Sequence, residues 1–499
     1  MTDPAPRLDR VDVLDALRAR LAEVGYTTEA LEASLGGGRI SFSAADVAVH
    51  ERRLEPGEPF AALVRLFLLG APLEPGEAEA TFGPVDVGAL TDSAWLEQAE
   101  GGVRATLKLV PHGDLLIASD RETEGPTGSG WVAGIHPPSV TLAKLTVRRP
   151  VVRALDVGTG NGIQALLASR QAESVVATDV NPRALALAAL NARLNGATNI
   201  ELREGSFFDP AQGERFDLVT CNPPYVISPE TRYAYRDSGL PGDTVSRQVV
   251  EQAPAMLNEG GFAHILISWA HTTDDRWGTL EDWVAGRGCD SWLLYFGSDD
   301  PVTYSAEWLK PVAREDPERF CDQLAIWLDY LADLGIEAIA HGAVILRRRS
   351  GGKNWMRKDR VALDRLEQAS DHVLRVFETQ NYLEAFEDDH ELLDGRFAYV
   401  ERHRLQQTLA CRDGRAEVQS IVFSLEEGLG FRTGLDVHTA ELVPLLDGRR
   451  SLRDVLAQRA AAMALGDEDV KRFEEAALPA VRRLLELGFV VRADGEPLT

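Results

Sequence analysis

The strongest constraint on the fold of this chain is an alternation of short apolar runs with segments of helical periodicity between residues 153 and 270. The apolar runs cover residues 154–157, 175–178, 200–203, 216–220 and 262–267. Segments of helical spacing separate them, at residues 162–172, 182–195 and 246–257. Strands alternating with helices predict the α/β class, with a doubly wound, mostly parallel sheet. Ligands of such a sheet are expected beyond the carboxyl ends of its strands.

A glycine loop follows the first of these strands. Gly158, Gly160 and Gly162 follow Asp156 at two-residue intervals. Residues without side chains let the backbone approach a ligand closely. The dinucleotide-binding pattern requires a glycine at the position that Ile163 occupies, so a nicotinamide cofactor is the weaker interpretation. The loop is typical of class I methyltransferases, whose cofactor is S-adenosyl-L-methionine.

Further cofactor contacts are expected at the ends of the next two strands. Asp179, with Val180 beside it, is placed to accept hydrogen bonds from a pair of ribose hydroxyls. The alternative role for Asp179 is to cap the helix that begins near residue 182. Ser206 and Phe207 are expected at the adenine, although Phe207 could belong only to the core. Asp156 is expected to interact with the ammonium group of the cofactor, directly or through neighbouring groups.

The segment Asn222-Pro223-Pro224-Tyr225 follows the predicted strand at residues 216–220. A planar amide or ring amine is a weak nucleophile because its lone pair is conjugated. The Asn222 side-chain oxygen and the Pro223 carbonyl can accept hydrogen bonds from both N–H groups of such an acceptor and orient it. Prolines stiffen the loop, and Tyr225 can stack on a flat group. The four residues are therefore the predicted catalytic site of an N-methyltransferase.

Residues 150–270 resemble the HemK-type N5-glutamine methyltransferases, which modify peptide-chain release factors. The resemblance is carried by the glycine loop and by Asn222-Pro223-Pro224-Tyr225. It implies a class I Rossmann-like domain, S-adenosylmethionine as methyl donor, and an amide held by Asn222 and Pro223. This chain departs from the family in its length, because about 150 residues precede the similar region and more than 200 follow it.

Two neighbouring segments are candidates for the rim of the site. Residues 134–141 lead into a helix and are expected either to cover the methionine end of the cofactor or to form a simple helix cap. Arg236, Asp237 and Asp243 follow the acceptor loop and are expected either to line the substrate entrance or to form surface ion pairs.

Changes in pattern divide the chain into four predicted domains. Residues 1–130 are predicted to form an N-terminal α+β domain, with strands at residues 103–110 and 115–118 joined as a hairpin, and a winged-helix-like unit is one interpretation of it. Residues 131–350 are predicted to form the methyltransferase domain. Residues 351–435 read as a linker and α+β segment, with a hairpin turning at residues 413–414. Residues 436–499 read as a winged-helix-like domain that resembles peptide-binding modules of the PqqD type.

Charge and composition bear on the partner. The net charge of −26 disfavours a nucleic-acid substrate without excluding it, although the basic stretch at residues 347–358 could form a local patch instead of a linker. Four scattered cysteines have no metal-binding spacing and fit a reducing cytoplasm, and no apolar run is long enough for a membrane span. A protein or peptide side chain, glutamine-like, is the preferred acceptor. An exocyclic amine of RNA or DNA, and a non-catalytic cofactor-binding scaffold, stay open as alternatives.

Overall fold

The computed structural model describes residues 6–36, 44–121, 130–230, 236–237, 239–351, 353–412 and 415–493. The chain forms two compact units. The first comprises the described parts of residues 1–140, 150–291 and 297–354, and the second those of residues 141–149, 292–296 and 355–499. The four-domain division stays a prediction. None of the described helices is long and apolar enough to cross a membrane.

The N-terminal part of the first unit is helical and then turns into strands. Its elements are α1 Val11–Val24, α2 Thr28–Leu35, α3 Ala44–Glu51, α4 Pro59–Leu63 with a π-helical turn Val64–Leu68, α5 Pro75–Phe82, α6 Val87–Asp92, β1 Leu96–Ala99, β2 Gly102–Ala105, β3 Leu107–His112 and β4 Leu115–Asp120. The predicted hairpin is confirmed, because β3 pairs antiparallel with β4. The single strand predicted at residues 103–110 is wrong: β2 pairs with β1, and the chain bends at Thr106, whose hydroxyl donates to the Ala94 carbonyl over 2.6 Å.

The alternating segments form the elements that carry the site. These are α7 Pro137–Leu145, β5 Val151–Val157, α8 Ile163–Ser169, β6 Ala172–Asp179, α9 Pro182–Leu194, β7 Ile200–Glu204, β8 Phe216–Cys221, α10 Thr244–Gln252, β9 Leu257–His271, α11 Leu280–Val284, β10 Cys289–Asp299, α12 Pro301–Trp308, α13 Lys310–Glu315, α14 Pro317–Asp333 and β11 Ala338–Arg348. In the first unit the sheet order is β10-β11-β9-β8-β5-β6-β7. Strands β5 to β9 run parallel, and β11 runs antiparallel to β9. The predicted α/β fold with a large, mostly parallel sheet is confirmed.

The strand order places two loops side by side. From β5 the chain builds the sheet outward through β6 and β7, and it then returns to β8 on the other side of β5. The register pairs Val157, the last residue of β5, with Cys221, the last residue of β8. The glycine loop and the acceptor loop therefore leave the sheet as neighbours at the point where the strand order reverses. Open α/β sheets bind their ligands at such a point.

Helix α9 joins the N-terminal elements to this sheet. Its Asn191 exchanges two hydrogen bonds of 2.8 Å with the backbone N–H and carbonyl of Ala118 in β4, and Asn195 does the same with Leu116. The two asparagine amides thus take the place of a neighbouring strand. Buried Leu187 of α9 also belongs to the apolar core of the N-terminal helices.

The second unit contains the remaining elements. These are β12 Met356–Arg360, α15 Ser370–Glu384, β13 Arg396–Tyr399, β14 His403–Arg412, β15 Arg415–Leu425, β16 Arg432–Leu435, α16 Val437–Leu442, β17 Asp447–Ser451, α17 Leu452–Ala462, α18 Asp467–Glu486 and β18 Val490–Arg492. Strands β13 to β18 form two small antiparallel sheets, with orders β17-β13-β18 and β14-β15-β16. The predicted turn at residues 413–414 lies outside the described residues.

A buried histidine organises the core of the second unit. His372 accepts a hydrogen bond from the Leu429 N–H at Nδ1 and donates from Nε2 to the Leu487 carbonyl, at 3.1 and 2.9 Å. Gly428 and Gly488 lie against its ring, where added Cβ atoms would come within 2.6 and 2.7 Å of it. Burial lowers the pKa of His372 to about 3, so the ring is neutral at physiological pH.

Two arginines of the basic stretch at residues 347–358 are held within the first unit. Arg347 and Arg349 both donate to the carboxylate of Asp290, at 2.7 and 2.9 Å, and the Asp290 side chain is fully buried. Asn354 donates to the same carboxylate over 3.2 Å. Two of the arginines that could have formed a nucleic-acid patch are therefore held by a buried carboxylate of their own unit.

Candidate active site

A cavity of about 680 Å³ opens at the ends of β5 and β8 in the first unit. Its wall is mostly apolar, which suits a small organic ligand. Eleven of the predicted site residues line it: Asp156, Gly158, Gly160, Asp179, Val180, Ser206, Phe207, Asn222, Pro223, Pro224 and Tyr225. The sheet topology thus brings together two sets of residues that are about 60 positions apart in sequence.

The glycines of the loop serve two purposes. Gly158 and Gly160 have φ angles of 68° and 56°, which side chains disfavour, and an added Cβ would meet no protein atom within 4 Å. Their missing side chains leave that space to the cavity. Gly162 is not in the cavity wall. It has φ 85°, and an added Cβ would lie 3.1 Å from the Ala188 Cβ of α9, so this glycine permits close helix packing.

Asp156 is buried beneath the loop and paired with two hydroxyls. Its carboxylate accepts hydrogen bonds from Thr159 Oγ1 at 2.7 Å and from Thr220 Oγ1 at 2.9 Å. Burial raises the pKa of this carboxyl to about 6, even though both hydroxyls favour the ionised form. Thr220 belongs to β8, so Asp156 ties together the two strands that border the cavity.

Asp179 stands at the end of β6 with a fixed carboxylate. One oxygen accepts from the Gly160 N–H and the other from the Asn181 N–H, both at 2.9 Å. Burial raises the pKa of Asp179. Helix α9 is capped by Asn181, whose side chain accepts from the Arg183 N–H, so the alternative that Asp179 caps this helix is wrong. Each carboxylate oxygen retains a lone pair toward the cavity.

The turn after β7 has an unusual backbone. Phe207 has φ 42°, a rare value for a residue with a side chain, and the hydroxyl of Thr178 donates to its carbonyl over 3.0 Å. Gly205 has φ 152°, and an added Cβ would lie 2.5 Å from Pro210. Phe207 is half-buried in the cavity wall, whereas Phe208 is the neighbour that is buried in the core. The core-only alternative for Phe207 is therefore wrong.

The segment before α7 forms another part of the wall. Asn161 donates from its side chain to the Ala133 carbonyl at 3.0 Å, and Gln164 donates to the Ser139 carbonyl at 2.7 Å. His136 also lines the cavity. These hydrogen bonds hold residues 133–139 against the glycine loop.

The acceptor loop carries a polar group without a protein partner. Within the described part of the chain, the Asn222 side chain forms no hydrogen bond, and it lies in the cavity wall beside Pro223. Tyr225 is half-buried in the same wall. An amide group that faces an apolar cavity without a partner is available to a ligand.

The backbone behind this loop is fixed on two sides. The Ile227 N–H donates to Tyr304 Oη of α12 over 2.9 Å, and the Val226 N–H donates to the Arg236 carbonyl over 3.2 Å. Ser228 Oγ donates to the Asp237 carboxylate over 2.9 Å. The residues that follow Asn222 are therefore anchored to a helix and to a neighbouring segment.

Arg236 and Asp237 form a buried ion pair in the cavity wall. Arg236 Nε lies 2.7 Å from Asp237 Oδ1, and a second Arg236 nitrogen lies 2.7 Å from the Glu230 carboxylate. The Asp237 side chain is fully buried and that of Arg236 is 8% exposed. The surface-pair alternative for these two residues is wrong. Asp243 is absent from the cavity wall and accepts from the Ala270 N–H at 3.1 Å.

Sequence patterns missed one part of the wall. Trp308, at the end of α12, lines the cavity, and the Arg236 guanidinium lies 5.9 Å from its ring. The same guanidinium lies 5.7 Å from the ring of Trp327 in α14. The helices between β10 and β11 carry no recognisable motif, so only the fold brings Trp308 beside residues that precede it by about 80 positions.

The Methyltransferase small domain family matches residues 138–275. Two families described only as domains of unknown function, DUF7059 and DUF7782, match residues 23–106 and 374–492. The chain is 37% identical over 141 residues to a release factor glutamine methyltransferase of Geobacter sulfurreducens, covering 26% of this chain and 49% of the relative. It is 31% identical over 163 residues to a ribosomal protein uL3 glutamine methyltransferase of Xanthomonas campestris pv. campestris, covering 27% of this chain and 53% of that protein.

A third relative is matched over more of its length. The chain is 31% identical over 138 residues to a putative protein N5-glutamine methyltransferase of Methanocaldococcus jannaschii, covering 26% of this chain and 68% of the relative. The chain belongs to the HemK-type S-adenosylmethionine-dependent methyltransferase family. It spans about half the length of the release factor relatives that it matches.

Proposed function

We propose that this chain is an S-adenosylmethionine-dependent N-methyltransferase whose acceptor is the side-chain amide of a glutamine in a protein or peptide. The observation that carries the proposal is the Asn222 amide, which has no partner among the described residues and shares one cavity with the glycine loop and Asp179. The names of the relatives, which refer to glutamine in release factors and in a ribosomal protein, support the same acceptor.

The cavity fits the cofactor that the family uses. Asp179 would accept hydrogen bonds from the ribose hydroxyls, because both carboxylate oxygens are already oriented by backbone N–H groups. Phe207 and Val180 would pack on the adenine, and Ser206 lies beside them in the wall. Gly158 and Gly160 would let the backbone approach the cofactor closely. Asp156, whose pKa of about 6 lets it ionise near neutrality, would favour the ammonium group. When bound, this cofactor supplies an electrophilic methyl group.

The acceptor loop would present a flat amide to that methyl group. The Asn222 side-chain oxygen and the Pro223 carbonyl would each accept one N–H of the substrate amide, which fixes the direction of its nitrogen lone pair. Tyr225 would stack on the amide plane. As the nitrogen gains positive charge, the two hydrogen bonds strengthen, and the proton can then leave without a strong base. Pro224 and the anchoring of Ile227 to Tyr304 would keep the loop in place.

The nucleic-acid alternative finds little support in the described residues. The basic stretch that could have served as a reader has Arg347 and Arg349 committed to Asp290. The chain as a whole has a net charge of −26, which repels phosphate backbones. The scaffold alternative leaves unexplained why the Asn222 amide lies in the cavity wall with no partner in the part of the chain that the structure describes.

The remaining assignments belong to the same proposal. The doubly wound class I domain would span residues 131–350, with residues 1–130 as an N-terminal α+β domain. Residues 351–435 would form a connecting α+β segment, and residues 436–499 a winged-helix-like, PqqD-type domain that contacts the substrate. The cytoplasm is the proposed location, because the cysteine pattern fits a reducing compartment.

Methyl transfer from radiolabelled cofactor into a lysate of cells that lack this protein tests the proposal. We expect the label to be lost on protease digestion and to survive nuclease digestion. Enzymatic hydrolysis of the labelled protein followed by mass spectrometry is expected to yield N5-methylglutamine. Label in RNA or DNA, or in another amino acid, would overturn the glutamine assignment.

Asn222→Ala provides the matched test of the site. We expect this variant to bind the cofactor and to transfer methyl groups about 10²–10³ times more slowly, whereas Asn258→Ala, outside the cavity wall, is expected to retain full transfer. Cofactor binding without turnover in the wild-type chain, against every fraction of the lysate, would favour the scaffold alternative.

A further inference from the structure

Strands β14 and β15 form a ribbon that projects beyond the rest of their sheet. Their ladder runs from His403 opposite Leu425 to Arg412 opposite Arg415, whereas β16 pairs only with the base of the ribbon, at residues 421–424 of β15. Residues 404–409 of β14 and 415–420 of β15 are exposed. A two-stranded ribbon with both faces in water is marginally stable by itself.

The two faces of the ribbon differ. Gln406, Thr408 and Ser420 lie on one face, which is mostly polar and carries Val422 opposite Gln406. The other face begins with Phe423 and Ile421, which are 0% and 2% exposed and belong to the core of the second unit. It continues outward with the cross-strand pair Leu409 and Val418, which are 55% and 43% exposed. The apolar face of an antiparallel sheet is normally covered. Here the outer half of that face is exposed, because the core of the second unit covers only the inner half.

The outer edge of the ribbon is also unprotected. Within the described residues, β14 is an edge strand of its three-stranded sheet, and no strand pairs with its outer side. Its residues 405–411 carry no charge and no proline. Proteins usually guard an edge strand against pairing with lysine, proline or a bulge on that strand. The irregularity of this ladder places its extra residue, Gln419, on β15, which leaves β14 regular.

The sequence of the edge is complementary to itself. Residues 405–409 read Leu-Gln-Gln-Thr-Leu. If two copies of β14 pair antiparallel with Gln407 opposite Gln407, each Leu405 lies opposite Leu409 of the second copy, on the apolar face. Gln406 then lies opposite Thr408. In this register Arg412 lies opposite Arg402 of the second copy, which precedes β14 and forms an ion pair with Glu427. A register centred on Thr408 would bring an arginine within the strand, Arg404, opposite Arg412, and like charges directly opposite each other are destabilising.

We propose that β14 is the interface of a homodimer in which two copies pair edge to edge around Gln407. Such a pair has a two-fold axis perpendicular to the sheet, and the two three-stranded sheets become one sheet of six strands. The tip of each ribbon then lies beside the base of the other copy's ribbon, where the core of that copy covers the apolar face. The pairing gives hydrogen-bond partners to the outer side of β14 and covers the exposed leucines, and the closed two-fold dimer leaves no β14 edge open for further growth.

Sedimentation velocity of the full-length chain at a series of concentrations tests the proposal. We expect the wild-type protein to sediment with the mass of two chains. Gln407→Lys places two ammonium groups opposite each other at the two-fold axis and is expected to weaken dimerisation by about tenfold or more. Gln419→Lys makes the same change on the exposed part of β15, away from the edge, and is expected to leave the dimer intact.

A charge exchange makes the test specific. Gln407→Glu alone is expected to weaken the dimer in the same way, and mixing it with Gln407→Lys is expected to restore a dimer that contains one chain of each kind. Thermal unfolding should be similar for all three variants at a concentration where they are monomeric, which excludes misfolding as the cause. A wild-type chain that is monomeric at about 100 µM would overturn the proposal and leave the ribbon to another polypeptide. Equal effects of Gln407→Lys and Gln419→Lys would overturn it as well.

Discussion

The two halves of the cavity in the first unit differ in how their polar groups are satisfied. On the glycine-loop side, the carboxylates of Asp156 and Asp179 already accept two hydrogen bonds each from the protein. On the acceptor side, Arg236 and Asp237 form an ion pair with each other. The Asn222 amide, in contrast, has no partner among the described residues. The first half is organised in advance for a ligand that is bound in every turnover. The second half leaves its hydrogen-bonding capacity to the substrate.

The largest expected effect is on the acceptor side. Asn222→Ala removes an acceptor that acts on the developing charge of the substrate nitrogen, so kcat should fall by about 10²–10³. The cofactor Kd should change by less than about threefold, because the glycine-loop side keeps its own hydrogen bonds. Initial rates and isothermal titration calorimetry measure the two quantities. A parallel loss of cofactor affinity would show that the two halves are not separable.

For Asp179→Asn we expect weaker cofactor binding with little change in kcat, the opposite of the result expected for Asn222→Ala. An amide presents one oxygen and one N–H₂ group to the two backbone N–H donors of Gly160 and Asn181, so one donor loses its partner and the ribose loses a charged acceptor. Cofactor Kd should rise about 10- to 100-fold, with kcat at saturation little changed. Asp217→Asn is the control, because that carboxylate also accepts two backbone N–H groups but lies outside the cavity wall. Equal losses in both variants would indicate a general loss of stability.

A smaller effect on catalysis is expected when the hydrogen bond that anchors the acceptor loop to Tyr304 is removed. Tyr304→Phe leaves the buried Ile227 N–H without its partner and frees the residues that follow Tyr225. We expect kcat/KM for the acceptor to fall about tenfold with cofactor Kd unchanged, since an unpaired buried donor costs about 1–3 kcal/mol. Tyr26→Phe, which removes a buried hydroxyl bonded to the Leu109 carbonyl far from the cavity wall, should lower stability without this kinetic change.

The smallest effect concerns the ionisation of Asp156. Only the carboxylate form can pair with the cofactor ammonium, so affinity should rise with pH through about 6 and become constant above it. Thr220→Val removes one stabilising hydroxyl and should move this midpoint upward by about one pH unit, a loss of about twofold in affinity at pH 7. Thr220→Ser should restore the wild-type curve. Calorimetric titrations between pH 5 and 8 measure the shift, and a flat wild-type curve would exclude this role.

The same carboxyl should influence the stability of the chain in the opposite direction. Its folded pKa of about 6 lies above the ordinary value of 3.8, so the unfolded chain loses this proton first as pH rises. The contribution of Asp156 to stability is therefore full below pH 3.8 and decreases as pH rises through 6. A cationic ligand that pairs with the carboxylate offsets that loss.

Local sequence patterns are sufficient to predict a structural feature when that feature depends on residues that are neighbours in sequence. The alternation of strands and helices predicted the sheet, because each strand and helix must bury an apolar face. The glycine loop and Asn222-Pro223-Pro224-Tyr225 predicted the two sides of the cavity, because their chemistry depends on backbone freedom or stiffness within a few residues. Periodicity also predicts an amphipathic helix over residues 467–488, and helix α18 spans Asp467–Glu486.

Other features were decided by contacts between distant segments. The cap of α9 went to Asn181 instead of Asp179, because the Gly160 N–H competes for the Asp179 carboxylate. The ion pair between Arg347 and Asp290 could not be predicted, because the two residues are 57 positions apart in sequence. Residues 103–110 were read as one strand because nothing in their sequence indicates that β1 and β4 take separate halves.

The amino-acid sequence by itself determined the α/β fold of the first unit, its glycine turn and its acceptor loop, since backbone conformation and burial of an apolar face are local properties. Only the tertiary structure decided that Arg236, Asp237 and Trp308 join the cavity wall and that Phe207 faces the cavity while Phe208 is buried in the core. It alone left the edge of β14 open. These outcomes depend on which surfaces meet after the chain has folded, and pairing between residues far apart in sequence leaves no periodic trace in the sequence.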